Sequence, residues 1–150
     1  MPSTTLPSSG SYLMPSLEHA TVADAMHPGI ISCDPDLTVA EVARLMATEH
    51  VHCLAVIGIS HEDPPCPVWG LITDVDLLRV AVTDGGPATA RELAVQPLVT
   101  VESRTPLRQA AAVMLRQGTS HVIVIEPESE RPIGILSTLD VAGVLGWGEG

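Results

Sequence analysis

Aromatic side chains are almost missing from this chain. Among 150 residues there are Trp69, Trp147 and Tyr12, and no phenylalanine. The core therefore has to be built from Val, Leu, Ile, Ala and Met, which suits strands covered by helices. Too few rings are present to stack nucleic-acid bases. Basic residues are scarce as well, 7 Lys and Arg against 18 Asp and Glu, for a net charge of −11 with His neutral. A surface of that sign repels a polyanion, so no nucleic-acid partner is expected. A small phosphate ligand remains compatible, because one local pocket can override the average field.

Other absences narrow the class further. There are only 3 cysteines, Cys33, Cys53 and Cys66, with no CxxC pair. An odd, scattered set reads as reduced thiols and not as a secreted disulfide framework, so a cytoplasmic location is expected. The start lacks the charge and apolar run of a signal peptide, and no apolar stretch is long enough to cross a bilayer, so no membrane association is expected. Ser–His–Asp, G-x-x-x-x-G-K-[ST] and HExxH signatures are absent, and an enzyme reading has no residue set to stand on.

What the sequence does contain is an internal repeat. Shifted by 68 positions, Ser32 falls on Thr100, the stripe Val39, Val42, Ala43 and Met46 falls on Leu107, Ala110, Ala111 and Met114, and Leu54–Ile57 falls on Val122–Ile125. The offset then becomes 64, so that Gly70, Thr73 and Asp76 fall on Gly134, Ser137 and Asp140. The difference sits in the loop Gly58–Pro67, where Pro64, Pro65 and Pro67 signal irregular backbone. Residues 1–16, rich in Ser, Thr and Pro, read as a disordered tail, and 148–150 as a flexible end. The first copy then spans 17–84 and the second 85–147.

Each copy reads as helix, strand, helix, strand, strand, helix. The short first helices fall at Val22–Met26 and Ala90–Ala94, and the extended segments at Gly29–Cys33 and Leu98–Val101. The amphipathic helices carry the i, i+3, i+4, i+7 stripes given above. Thr38 with Glu41 has capping-box spacing, Thr105 before Pro106 reads as a cap with Pro at the first helical position, and Gly118 reads as a stop. Strands follow at Cys53–Ile57 and Val68–Ile72, and at His121–Ile125 and Ile133–Leu136; the closing helices are Asp74–Val82 and Thr138–Leu145. One copy alone leaves an apolar sheet face exposed. The predicted fold is therefore α/β, two copies related by a pseudo-twofold axis and packed sheet to sheet.

The sharpest motif is G-x-x-[ST]-x-x-D, at Gly70–Asp76 and again at Gly134–Asp140, where a strand runs directly into a helix. Two readings fit. In one, Thr73 or Ser137 caps the helix and the Asp three residues on completes a capping box, with no ligand required. In the other, the free N–H groups and positive dipole end suit a phosphate, while the carboxylate accepts hydrogen bonds from two ribose hydroxyls.

Two full sets of these features in order resemble a tandem pair of cystathionine β-synthase (CBS) domains, a Bateman module, over roughly Leu17 to Trp147. The resemblance rests on Ile31–Pro35 and Val99–Val101, on the strands Leu54–Ile57 and Val122–Ile125, and on the two Gly…Thr/Ser…Asp endings. It implies clefts between the copies that bind AMP, ADP, ATP or S-adenosylmethionine as a regulatory ligand, with no cofactor required. It further implies that Asp76 and Asp140 hold ribose hydroxyls and that Thr73 and Ser137 lie near ribose and phosphate. Ser32 and Thr100, with their neighbours, then line the base pocket, and His52, Cys53, Ser120 and His121 face the same clefts. It also implies a homodimer formed through exposed helices and, with no catalytic or transport domain attached, output through an unknown partner protein.

The clefts are not expected to be equal. Arg79 lies one turn after Asp76 and can meet a phosphate, whereas Gly143 takes the matching place after Asp140. Tight nucleotide binders of the family often carry basic residues before the second strand, where this chain has His52, Cys53, Ser120 and His121. That difference speaks against tight binding of a triphosphate and leaves open a monophosphate, a nucleoside-like ligand such as S-adenosylmethionine, or no ligand at one site. Two other readings stand beside the sensor: a ligand-free dimeric scaffold, and a zinc- or redox-responsive module built on His50, His52 and Cys53, with Cys33, His61 and Cys66 in reach. Strand alternation argues against the second, because it sends His52 and Cys53 to opposite faces.

Overall fold

The computed structural model describes residues 14–58, 67–94 and 98–149. Residues 1–13, and His61, Pro64, Pro65 and Cys66 of the loop, lie outside the described residues. The first repeat contains α1 (Val22–Ala25), β1 (His27–Pro28), β2 (Ser32–Cys33), α2 (Val39–Glu49), β3 (Cys53–Ile57), β4 (Val68–Thr73) and α3 (Asp74–Ala81). The second contains α4 (Ala90–Leu93), β5 (Thr100–Glu102), α5 (Leu107–Gln117), β6 (His121–Ile125), β7 (Pro132–Ser137) and α6 (Thr138–Trp147). A three-stranded sheet runs β2-β3-β4 and a four-stranded sheet runs β1-β7-β6-β5. In each, a parallel pair (β2 with β3, β5 with β6) is followed by an antiparallel one.

Local chemistry sets the element ends. Thr38 accepts the Glu41 N–H and Glu41 returns a bond to the Thr38 N–H, starting α2. Gly118 ends α5 in the left-handed region at φ 63°, and His50, its repeat equivalent, ends α2 at φ 55°. The start of α5 departs from expectation. Pro106 occupies the cap position with no side-chain cap bond, and Thr105 lies one residue further out. Backbone replaces the missing cap: Leu107 N–H donates to the Ala20 carbonyl and Val22 N–H to that of Thr105, each at 2.9 Å.

That exchange belongs to a larger one. Ala20 and Val22, from the start of the first repeat, are buried in the core of the second, with Leu107, Met114, Val122 and Leu136. Ala90 and Leu93, from the start of the second repeat, are buried in the core of the first, with Val42, Leu54 and Ile72. The reciprocal backbone bonds run from Ala90 N–H to the Leu37 carbonyl and from Val39 N–H to that of Ala88. Each repeat thus supplies the helix that closes the other. Fully burying a Val or Leu side chain contributes about 1.5–3 kcal/mol, so each half draws part of its core stability from the other.

The sheets meet through a third core of Cys53, Ala55, Val68, Leu71 and Ile123. Strand alternation assigns these faces: Leu54 and Val56 point to the helices, Cys53 and Ala55 to the opposing sheet. Of the segment Gly29–Cys33, expected to be one extended stretch, only Ser32–Cys33 is a strand, and a separate strand, β1, precedes it. β1 pairs with β7 and β2 with β3, and between them Gly29 at φ 83° turns the chain from one sheet to the other. Met14 and Pro15, at the inner end of the expected tail, are also placed: the Glu149 N–H donates to the Met14 carbonyl, and Pro15 bridges Glu149.

Candidate functional site

Each G-x-x-[ST]-x-x-D motif forms a strand-to-helix junction, and in both the capping box is made. The Thr73 N–H and hydroxyl donate to Asp76 Oδ2 at 2.8 and 3.1 Å. The Ser137 N–H donates to Asp140 Oδ2 at 2.8 Å, and the Asp140 N–H donates back to Ser137 Oγ at 3.2 Å. The box does not exhaust the carboxylate. It engages Oδ2 and leaves Oδ1 for a second partner, which differs between the two junctions. Asp76 Oδ1 accepts from Arg79 Nη1 at 2.9 Å, joining a buried carboxylate to an exposed guanidinium. Asp140 Oδ1 lies 3.2 Å from His27 Nε2, with the carboxylate again buried and its partner exposed.

Around Asp76 there is a cleft of about 390 Å³. The first repeat contributes Thr73, Asp76 and Arg79 to it, and the second contributes Leu98, Val99 and the turn Gln117–His121. That volume suits a small organic ligand. Leu71, Leu98 and Val99 give it apolar surface for a flat ring, while Thr73, Asp76 and Arg79 form a polar end. Val75 and Asp76 bring the first turn of α3, with its positive dipole end, to the cleft, and Arg79 supplies a cation.

The remaining expected residues are placed as follows. His121 lines the cleft and is half-buried, with Nδ1 2.8 Å from Ser120 Oγ. Burial lowers its pKa, partly opposed by the carboxylates of Asp74 and Asp140. His52 is exposed, with Nδ1 2.9 Å from Asp74 Oδ2, and this bond is the main reason Asp74 titrates below the usual carboxylate range. Cys53 faces the sheet interface, where burial, then Asp76 and Asp74, push its thiol up to about 12. Ser32 pairs with Ala55 and Thr100 with Ile123; the cleft wall includes the neighbours of Thr100, Leu98 and Val99. Ser137 and Asp140 lie at the second junction with His27. Among the described residues no three His, Cys, Asp or Glu side chains gather as metal ligands, and Cys33 is buried in the first core.

Sequence reasoning missed His27 and the turn Gln117–Thr119. The turn could have been found from its place just before Ser120 and His121. For His27 no local signal exists, since its contact follows from β1 crossing to the other sheet.

A family model described as the CBS domain matches the chain twice, at residues 22–83 and 90–146. The uncharacterized protein MK0525 of Methanopyrus kandleri is 24% identical over 131 residues, covering 85% of this chain and 64% of that protein. The chain thus spans less than two thirds of the length of this relative. Among solved structures, the CBS domain pair of protein MJ0100, in complex with 5′-methylthioadenosine and S-adenosyl-L-methionine, superposes with a TM-score of 0.71 at 19% identity, over 85% of this chain and 96% of that one. The protein CBSX2 in complex with AMP gives a TM-score of 0.63 at 24% identity, over 81% of this chain and 93% of that one. With both repeats matched by the same family model and laid out on the fold of these pairs, the chain belongs to the CBS domain family, as a tandem CBS domain pair.

Proposed function

We propose that this CBS pair is a regulatory module, not an enzyme, that binds an adenosyl ligand between its repeats and transmits the bound state to a partner protein. The observation that carries this reading is the cleft at Asp76, whose two walls come from different repeats. A ligand seated there touches both halves and is therefore able to bias how they sit against each other. Its ribose hydroxyls would replace Arg79 on Asp76 Oδ1, freeing the guanidinium for a phosphate or another anionic group. The adenine ring would lie against Leu98 and Val99, near Thr100. The ligands held by MJ0100 and CBSX2, namely 5′-methylthioadenosine, S-adenosylmethionine and AMP, support an adenosyl compound as the chemical class. ADP and ATP belong to it as well, and the single guanidinium favours AMP or S-adenosylmethionine over a triphosphate.

The reading includes a homodimer. Val75 and Leu78 are exposed on α3 and Val82 at its C-cap, and Leu139, Leu145 and Trp147 on α6. On α3 the spacing i, i+3, i+7 places them on one face, where a second copy would cover them. No helix among the described residues is long and apolar enough to cross a membrane. The unpaired, buried Cys33 and Cys53 suit a reducing, cytoplasmic setting.

Thermal denaturation of the full chain with AMP, ADP, ATP, S-adenosylmethionine or zinc tests the reading. AMP or S-adenosylmethionine is expected to raise the melting temperature through linkage. A response to zinc alone, or to none of them, would replace it by the metal-responsive or scaffold reading.

A further inference from the structure

The two motif carboxylates have different partners, and the repeat equivalents of the residues around them differ as well. Applying the repeat offset, Arg79 corresponds to Gly143, which brings no side chain. Gln117, Gly118, Thr119 and Ser120 correspond to Glu49, His50, Val51 and His52. The turn that faces Asp76 is thus uncharged, while its counterpart begins with a carboxylate. A phosphate entering beside Asp140 would meet Glu49 and find no guanidinium.

The Asp140 carboxylate is also engaged by a side chain that its own fold delivers. His27 is held on β1, paired with Ile135 on β7, and the next residue, Pro28, pairs with Gly134. Just past β1, the Gly29 N–H donates to the Ile133 carbonyl at 2.9 Å. Strand β1 lies so close that a Cβ on Gly134 would collide with the His27 carbonyl oxygen. Asp140 has the Ser137 N–H on Oδ2 at 2.8 Å and His27 Nε2 beside Oδ1 at 3.2 Å. Oδ1 is the atom a ribose hydroxyl would need. Arg79 differs in kind, because its long side chain belongs to the helix beside the ligand and can pass from Asp76 to a phosphate without leaving either charge unpaired.

We propose that the chain binds one adenosyl phosphate, in the Asp76–Arg79 cleft, and that His27 latches the equivalent Asp140 cleft shut against nucleosides. The proposal rests on the adenosyl reading above for the first cleft, and on His27 alone for the second.

Calorimetric titrations of the full chain with AMP and with adenosine test it, using wild type, Asp76→Asn, Asp140→Asn, His27→Ala and His27→Gln. AMP is expected to bind wild type at one per chain. Asp76→Asn should abolish this site and Asp140→Asn should leave it. In His27→Ala, adenosine should occupy two sites per chain. His27→Gln keeps a hydrogen-bond donor at the latch and should stay at one. Two AMP sites in wild type, or one that is lost in Asp140→Asn only, would overturn the single-site assignment. No second adenosine in His27→Ala would overturn the latch. If wild type binds neither ligand but His27→Ala binds one adenosine, the latch stands and the reading of the first cleft fails. If neither protein binds, both fail.

Discussion

Asp76 and Asp140 occupy equivalent places at the start of α3 and α6, yet Asp76 Oδ1 faces Arg79 Nη1 at 2.9 Å and Asp140 Oδ1 faces His27 Nε2 at 3.2 Å. One partner comes from the same helix and the other from a strand that has crossed between sheets. The capping box is common to both, so it accounts for the helix starts and not for the difference between the clefts. Asp76→Ala removes the return bond to the Thr73 N–H, and Thr73→Ala removes the cap side chain. Each should cost about 1 kcal/mol of stability, within the usual range for a cap, readable by urea denaturation. Asp76→Ala should in addition lose AMP binding, which a purely structural cap would not explain.

Arg79 is the one guanidinium among the residues lining the cleft. Arg79→Ala should weaken AMP by about tenfold or more, the scale of one hydrogen bond to a charged group, and leave adenosine nearly unchanged. Competitive calorimetry with the two ligands measures that ratio. Equal losses for both would show that Arg79 acts on the fold of the cleft and not on the phosphate.

Stability should fall with acid through His121. Burial depresses its folded pKa, so between the unfolded and folded values the unfolded chain binds more protons. The contribution is fully present above the unfolded value of about 6.5 and is lost as pH falls through the folded one. Asp74, also depressed, loses its contribution in the same direction but lower, below the ordinary carboxylate range. Denaturation midpoints from pH 7.5 to about 5 should drop in wild type and flatten in His121→Gln. An unchanged slope would assign the loss to other groups.

Cys53 should be inert in the folded protein. With its thiol pushed up to about 12, almost no thiolate exists near neutral pH, and only 7% of the residue is exposed. Iodoacetamide followed by peptide mass spectrometry should find Cys53 unmodified until denaturant is added. Cys33, buried and also raised by burial, should behave alike.

Ile123 stands fully buried between the sheets. Ile123→Ala should cost roughly 2–5 kcal/mol, the range for such a truncation in a packed core. Because the start of each repeat closes the other, the transition should stay single, with fluorescence and circular dichroism midpoints coinciding. Two separate transitions would show that the halves fold independently.

How much of this was legible in the sequence depends on the range of the interaction. Helix stripes, the Thr38–Glu41 box and the Gly118 stop are encoded within four residues, and the structure has them where periodicity places them. The repeat located both motif carboxylates, since duplication copies positions. It did not show that Val22 and Ala90 pack in each other's half, because a repeat reveals equivalence and not partnership. Gly29 looked like an ordinary strand start, yet its positive φ turns the chain from β1 in one sheet toward β2 in the other. His27 follows from that crossing, and so does its contact with Asp140, 113 positions away by the residue numbers. Pro106 lost its expected role because backbone from Ala20 already serves the start of α5.

The central claim is that an adenosyl ligand sits between the repeats at Asp76, and amide chemical shifts of the nitrogen-15-labelled chain during an AMP titration test it most directly. Thr73, Val99 and Gly118 to His121 should move together along one saturable curve, while Ser137 and Asp140 stay within noise. Saturable shifts confined to Ser137 and Asp140, or no shifts at millimolar AMP, would contradict the account.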